Sequence, residues 1–150
     1  MIAHSEWTST DPNSNGYTAH SQSGHAIRFD ASPEHLEGPT PMEAVLMALC
    51  GCTSVDVVSI LKKKRQPLAS LTVSAEAGQP DEPPRIFNKI KLVYSVRAEA
   101  GGRLSRKAVE DAVALSKDKY CSVSAMLEKS AEIDFVIEFA GLAEGEEPLP

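Results

Sequence analysis

The chain has 150 residues, of which 42% are hydrophobic and 24% are charged, a balance typical of globular proteins rather than disordered or fibrous ones. Its length is that of one domain with a core of its own, so we expect a single domain over residues 1–150. Fifteen basic and twenty-one acidic side chains give a formal net charge of −6. That charge repels nucleic-acid phosphates overall, so nucleic acid is not an expected partner.

The N-terminus and the cysteine count indicate the compartment. Residues 1–7 have neither the basic segment nor the apolar run of a secretory signal, which predicts a cytoplasmic protein. Three cysteines are an odd number, and a disulfide framework is not expected in a reducing compartment. Any specific use of sulfur is therefore expected to be chemical rather than structural.

Residues 1–37 are short apolar or aromatic runs separated by turn-forming residues, a pattern that predicts two or three short strands in hairpins. Within them, residues 26–30 alternate apolar and polar side chains as a half-buried strand does.

A long helix is predicted over residues 40–65. Thr40 and Glu43 form a capping box around Pro41, which suits the first helical position. Residues 44–61 are apolar on nearly every face, which predicts burial on all sides. The length approaches that of a membrane span, but the charges of Glu43 and Asp56 favour a buried helix, and no membrane association is expected.

The remainder of the chain predicts two strands within residues 68–96, two helices within 105–130 capped by Ser105 and Ser122, and a strand over 131–139. The small, acidic residues 140–150 are expected to form a flexible tail. This order indicates an α+β domain. Its apolar central helix needs either a sheet on both sides or a second subunit.

The three cysteines differ in their predicted surroundings. Cys52 lies inside the long helix, where burial raises a thiol pKa, whereas Cys121 precedes a short helix whose N–H groups and dipole favour a thiolate. Cys50 is roughly 200° of helix away from Cys52, which disfavours a shared metal site, so it is expected to be a small core residue. We expect no metal and no cofactor.

A thiol peroxidase needs an attacking thiolate, a second thiol that resolves the sulfenic acid, and a positive group beside them. Cys52 and Cys121 supply the two thiol types, but they are 69 positions apart and their proximity depends on the fold. From the residues alone, the alternative that both are buried small hydrophobic residues is favoured.

Four segments resemble the OsmC/Ohr family (osmotically inducible protein C and organic hydroperoxide resistance). Residues 38–66 resemble its central helix, and residues 119–124 resemble its second cysteine motif. Together with residues 23–25 and 87–94, the resemblance covers most of residues 16–139, with the two cysteine motifs in the family's order.

The resemblance implies a fold and an activity. The fold is an intertwined homodimer in which antiparallel sheets surround a long, buried central helix. The activity is reduction of peroxides, chiefly organic hydroperoxides, with Cys52 as the peroxidatic residue and Cys121 as the resolving residue. A dithiol, for example on a lipoyl protein, is the implied reductant, and the expected role is in the oxidative stress response.

The chain departs from the family's peroxidase pattern at the residues beside the sulfur. Family peroxidases use a glutamate in the turn that opens the central helix to hold an arginine near the thiolate, and that position is Met42 here, with Glu43 one residue later. Arg28 and His25 are the residues that could take the arginine's place. The alternative function is therefore a stress-associated dimer of this fold that binds a small hydrophobic ligand without efficient peroxidase activity.

Overall fold

The computed structural model describes residues 1–8, 14–140 and 147–150. These residues form two compact units, Met1–Leu46 and Met47–Pro150, and the boundary between them falls within the long helix. That the two units make up one domain stays a prediction.

The N-terminal unit contains a three-stranded antiparallel sheet. Its strands are β1 (Ala3–Glu6), β2 (Gly16–Ser21) and β3 (Ala26–Asp30), in the order β1-β2-β3. Strand β3 has the bounds that the alternation of residues 26–30 predicted. Asp30 ends it by accepting hydrogen bonds from the backbone N–H groups of Ser32 (2.8 Å) and Glu37 (3.0 Å).

Helix α1 (Pro41–Lys63) begins and ends as its sequence dictates. At its start, the Glu43 N–H donates to Thr40 Oγ1 (3.2 Å) while the Thr40 N–H donates to Glu43 Oε2 (2.7 Å), which confirms the capping box. At its end, Arg65 adopts a φ of 53° and the Gln66 N–H donates to the Leu61 carbonyl (3.0 Å). This is a Schellman termination with an arginine in the left-handed position.

The prediction that α1 is buried on all sides is wrong for the single chain. One face is buried, with its buried residues one turn apart: Leu49, Thr53, Val57 and Leu61. On the opposite side Val55 is 71% exposed, and Met47 near the edge of that side is 55% exposed. The helix has the length and apolarity of a membrane span. Its Thr53 and Asp56 nevertheless bond to other side chains of the same unit, as in the core helix of a globular protein.

The second unit is built on a three-stranded sheet of β4 (Leu68–Gly78), β5 (Lys89–Ala98) and β6 (Glu132–Ala140), in the order β4-β5-β6. Strands β4 and β5 are antiparallel, but β5 and β6 are parallel, so the expectation of wholly antiparallel sheets is wrong here. The reason is the helical crossover between β5 and β6, which returns the chain to the same end of the sheet.

Two helices form the crossover. Helix α2 (Arg106–Leu115) is capped by Ser105, whose side chain accepts from the Ala108 N–H (3.2 Å), as predicted. A single π-helical turn (Ser116–Tyr120) follows, and then α3 (Ser122–Leu127). Cys121, not Ser122, is the N-cap of α3, so α3 begins one residue earlier than the sequence predicted.

Residues 147–150, at the end of the predicted flexible tail, make backbone hydrogen bonds to residues at the start of α2, and the flexibility of 140–150 stays a prediction. The Leu149 carbonyl accepts from the Arg106 N–H (2.5 Å), and the Leu149 N–H donates to the Leu104 carbonyl (2.9 Å). These bonds satisfy a backbone donor that the start of α2 leaves without a partner inside the helix. Residues 141–146, which belong to the same prediction, lie outside the described residues.

Candidate functional site

The fold of the second unit brings two of the three cysteines together. Cys52 lies in the middle of α1, and Cys121 lies between the π-turn and α3. Their sulfur atoms and one carboxylate oxygen of Asp56 all lie within 4.8 Å of one another. Asp56 is one helical turn after Cys52, so the two side chains share one edge of α1. All three thiols of the chain are free.

Cys121 is nearly inaccessible, with 1% of its surface exposed. Burial raises the pKa of the Cys121 thiol above its ordinary value, and the neighbouring Cys52 adds to the rise. The Ser124 N–H, which donates to Cys121 Sγ (3.4 Å), acts in the opposite direction. The N–H contact at the start of α3 favours the Cys121 thiolate as the sequence predicted, but burial outweighs this one contact, so the net direction of the pKa is upward.

A chain of hydrogen bonds runs from the sheet to the carboxylate. Tyr94 Oη on β5 lies 2.8 Å from Thr53 Oγ1 on α1, and Thr53 Oγ1 lies 2.9 Å from Ser116 Oγ. Ser116 Oγ in turn donates to Asp56 Oδ2 (3.0 Å). Tyr94, Thr53 and Ser116 are all buried, so each hydroxyl depends on its neighbour in the chain for a partner.

The π-turn places both the last hydroxyl of this chain and the second sulfur. Its closing bond runs from the Cys121 N–H to the Ser116 carbonyl (2.8 Å), five residues apart. The wider turn lets Ser116 continue the buried face of α2 while Cys121 begins α3. Single π-turns of this kind are frequent at functional sites.

The other predicted site residues have partners within the N-terminal unit. Arg28 donates through Nε to Glu37 (2.8 Å), pairs with the same carboxylate through Nη2, and donates through Nη1 to Thr18 (3.2 Å). His25 Nδ1 lies 3.1 Å from Ser23 Oγ. The Glu43 carboxylate is occupied by the helix cap, and the bond from the Thr40 N–H is the main cause that lowers its pKa.

Comparison with known proteins identifies the family. Residues 33–136 match the family model described as OsmC-like protein. The chain belongs to the OsmC-like family. The family predicted from residues 38–66 and 119–124 is thus confirmed.

Similar proteins match between 78 and 92% of the chain. Protein YhfA of Escherichia coli (strain K12) is 44% identical over 117 residues, which are 78% of this chain and 84% of YhfA. A solved hypothetical protein from Aquifex aeolicus VF5 is 29% identical with a TM-score of 0.72, over 92% of this chain and 96% of that one. An organic hydroperoxide resistance protein OsmC from Legionella pneumophila is 14% identical, with a TM-score of 0.63 over 91% and 95%. The α+β OsmC-like fold is therefore confirmed.

In this OsmC-like chain, Cys52, Asp56 and Cys121 bring two sulfur atoms and a carboxylate oxygen into one cluster. Cys50 is outside this group, as its position on the helix predicted, and burial raises the pKa of its thiol.

Sequence reasoning missed the polar residues around the sulfurs in this OsmC-like site. Asp56 was considered only as evidence against a membrane span, although its spacing of four from Cys52 places it on the same helix edge. Thr53, Tyr94 and Ser116 lie on three different elements, so their contact depends on the tertiary structure. Met42, at the position of the family glutamate, lies in the first turn of α1.

Proposed function

We propose that the chain reduces peroxides, with organic hydroperoxides as the main substrates, through a thiol-disulfide cycle of Cys52 and Cys121. The observation that carries the proposal is the approach of the two sulfur atoms to within 4.8 Å, across 69 positions of sequence. Two cysteines that served only as packing residues would have no need to meet beside a carboxylate, since an apolar contact would cost less.

The cycle follows from the chemistry of sulfur. The Cys52 thiolate attacks one oxygen of the peroxide, the O–O bond breaks, and the alcohol leaves with a proton while Cys52 becomes a sulfenic acid. Cys121 then attacks the Cys52 sulfur, which forms the disulfide and releases water. A dithiol reductant, for example on a lipoyl protein, returns both thiols by exchange, so one peroxide and one dithiol give an alcohol, water and a disulfide.

Two further observations support the proposal. Cys52 is partly accessible while Cys121 is buried, which suits Cys52 as the attacking residue and Cys121 as the resolving one. Several solved proteins of the same fold are described as organic hydroperoxide resistance proteins, from Legionella, Elizabethkingia and Bacillus. Their identity to this chain is 11 to 14%, so their likeness supports the fold, and the activity is carried over as a proposal.

Free thiols should be titrated before and after one equivalent of cumene hydroperoxide. The proposal expects two thiols lost per chain, and a mass lower by the two hydrogens of a disulfide. Unchanged thiol counts with every peroxide offered would refute it. Cys50→Ser is the matched control: it should lose the same two thiols as the native chain. Cys52→Ser should lose none, and Cys121→Ser should stop at a sulfenic acid that dimedone traps.

We also propose that the chain works as a cytoplasmic homodimer. The exposed side of α1 carries the small or apolar residues Ala48, Gly51 and Val55, a surface that two copies of a helix can bury against each other. This pairing would complete the burial that the apolarity of α1 predicted. Light scattering coupled to size-exclusion chromatography measures the mass, and a monomer at micromolar concentration would refute the pairing.

A second function has specific support: an OsmC-like dimer that binds a small hydrophobic ligand without efficient peroxidase activity. Arg28 is paired with Glu37, and Glu43 is used by the helix cap, so both residues already have partners other than a sulfur atom. Native mass spectrometry of freshly purified protein tests this alternative. A co-purifying hydrophobic ligand together with unreactive thiols would favour binding over catalysis.

A further inference from the structure

We propose that Asp56 is the base that takes the proton of the Cys121 thiol when the disulfide with Cys52 closes. The inference rests on the thiol-disulfide cycle proposed above, and it assigns the proton of the resolving step. It depends on the position of the carboxylate, the direction of the buried hydrogen-bond chain and the opening of Asp56 to a surface pocket.

The carboxylate is within reach of both sulfurs. One oxygen of Asp56 lies within 4.8 Å of Cys52 Sγ and Cys121 Sγ, a separation that one water molecule or a small side-chain movement bridges. Cys121 is a buried thiol, and a buried thiol attacks only after it loses its proton. A base beside it supplies that loss.

The hydrogen-bond chain has a fixed direction. A carboxylate can only accept hydrogen bonds, so the Ser116 hydroxyl donates its single proton to Asp56 Oδ2. The Ser116 oxygen must then accept from Thr53, and the Thr53 oxygen must accept from Tyr94. Every hydroxyl therefore points its proton toward Asp56, and the aligned dipoles stabilise and orient the carboxylate.

This direction also shows which way a proton leaves. The far end of the chain is Tyr94. Burial raises the pKa of its phenol to about 12, so the phenol stays protonated and does not take up a proton relayed along the chain from Asp56. Asp56 itself borders a surface pocket of about 290 Å³ that is also lined by Lys63 and Lys64. The proton taken from Cys121 stays on Asp56 until the hydroxide released from Cys52 takes it, and the pocket gives the water formed beside Asp56 a route to solvent.

The step balances in atoms and charge. The Cys121 S–H bond breaks and its proton goes to Asp56, while the resulting thiolate attacks the sulfur of the Cys52 sulfenic acid. The S–O bond breaks, and the hydroxide leaves as water with the proton from Asp56. Transfer between Cys121 and Asp56 keeps the cluster at one negative charge, which avoids a buried thiolate next to a carboxylate.

The test measures closure of the disulfide separately from oxidation of Cys52. After rapid mixing with cumene hydroperoxide, sulfenic acid is trapped with dimedone and the disulfide is counted by mass, in the native chain and in Asp56→Asn. Asparagine keeps an oxygen that accepts from Ser116 but is no base. We expect closure, timed from the sulfenic acid that has already formed, to slow about 100-fold at neutral pH, and the rate of Cys52 oxidation is measured separately in the same samples. The deficit should shrink as the pH rises and hydroxide ionises Cys121.

Two further variants serve as controls. Asp111→Asn removes a carboxylate of the same unit that pairs with Lys64 and Lys107 at the surface, and closure in it should match the native rate. Ser116→Ala keeps the base and loses its orientation, so closure should slow less than in Asp56→Asn. Equal closure rates in Asp56→Asn and the native chain at neutral pH would overturn the assignment.

A second oxidant separates this inference from the peroxidase proposal. Diamide adds to one thiolate, and the second thiolate then displaces the hydrazine to form the disulfide, so closure needs the Cys121 proton to leave without any peroxide. Should peroxide fail to oxidise Cys52, the peroxidase proposal fails. A slow diamide closure in Asp56→Asn would still support the base, and a native closure rate would refute it.

Discussion

The buried pair of Thr53 and Tyr94 offers a test of the direction assigned to the hydrogen-bond chain. In Thr53→Val the shape is kept but the hydroxyl is lost, so the Tyr94 phenol, 1% exposed, loses its acceptor. A buried donor without a partner costs about 1 to 3 kcal/mol. Ser116 keeps its bond to Asp56, because it donates there, and loses only a donor to its own oxygen.

Tyr94→Phe perturbs the same pair from the other side. It removes the donor, and Thr53 keeps its bond to Ser116 while its oxygen loses one accepted bond, so we expect a smaller cost of about 1 kcal/mol. In the double variant no unpaired phenol remains. The cost should therefore fall below the sum of the single variants by about 1 kcal/mol.

Urea unfolding of the four proteins at one protein concentration measures these free energies, since a dimer's stability depends on concentration. Circular dichroism reports the transition, and equal slopes confirm that the compared states are alike. Two results would refute the reasoning: single variants whose costs add within about 0.3 kcal/mol, or a Tyr94→Phe variant that costs more than Thr53→Val.

Three further predictions concern other parts of the chain. The pKa of Asp30 is lowered from 3.8 to about 2, chiefly by hydrogen bonds from Ser32, so its stabilisation is present above pH 3.8 and is lost as the pH falls toward 2. Asp30→Asn should accordingly lower the urea midpoint near neutral pH, as measured by Trp7 fluorescence. The difference in midpoint between the variant and the native chain should vanish toward pH 2, and a difference that stays constant with pH would contradict this. Val55→Glu, at a position 71% exposed in the single chain, should convert the dimer to a folded monomer in light scattering, and an unchanged mass would exclude Val55 from the interface. Removal of residues 147–150 should cost about 2 kcal/mol in urea unfolding through the lost bonds of Leu149, whereas a native midpoint would mean that these bonds contribute nothing.

The fold was predictable where local chemistry decides it. The capping box of Thr40 and Glu43 fixes the start of α1, and the alternation of residues 26–30 gives β3, because both signals lie within a few residues. The direction of β6 was not predictable from its own residues. Alternation in 131–139 identifies a strand but carries no information on whether its neighbour is parallel, which depends on the crossover between β5 and β6.

The site residues, like the fold, were predictable only where the signal is local in the sequence. The two cysteine motifs identified Cys52 and Cys121, but their approach depends on the π-turn of Ser116–Tyr120, for which the residues give no signal that we recognised. The local argument on Cys121 included only one of the two opposing effects on its pKa. It considered the N–H groups of α3, and the burial that outweighs them comes from elements distant in sequence.

Asp56 shows how the missing part could have been found. A carboxylate in the middle of an otherwise apolar helix costs free energy unless it has partners, so its presence between Val55 and Val57 already requires an explanation. Its spacing of four from Cys52 places both on one helix edge, and that spacing is readable without a structure. A cysteine followed four residues later by an aspartate in an apolar helix therefore predicts a polar site at that edge. The buried hydroxyl of Ser116, which is itself bonded to Thr53, is the partner that the carboxylate required.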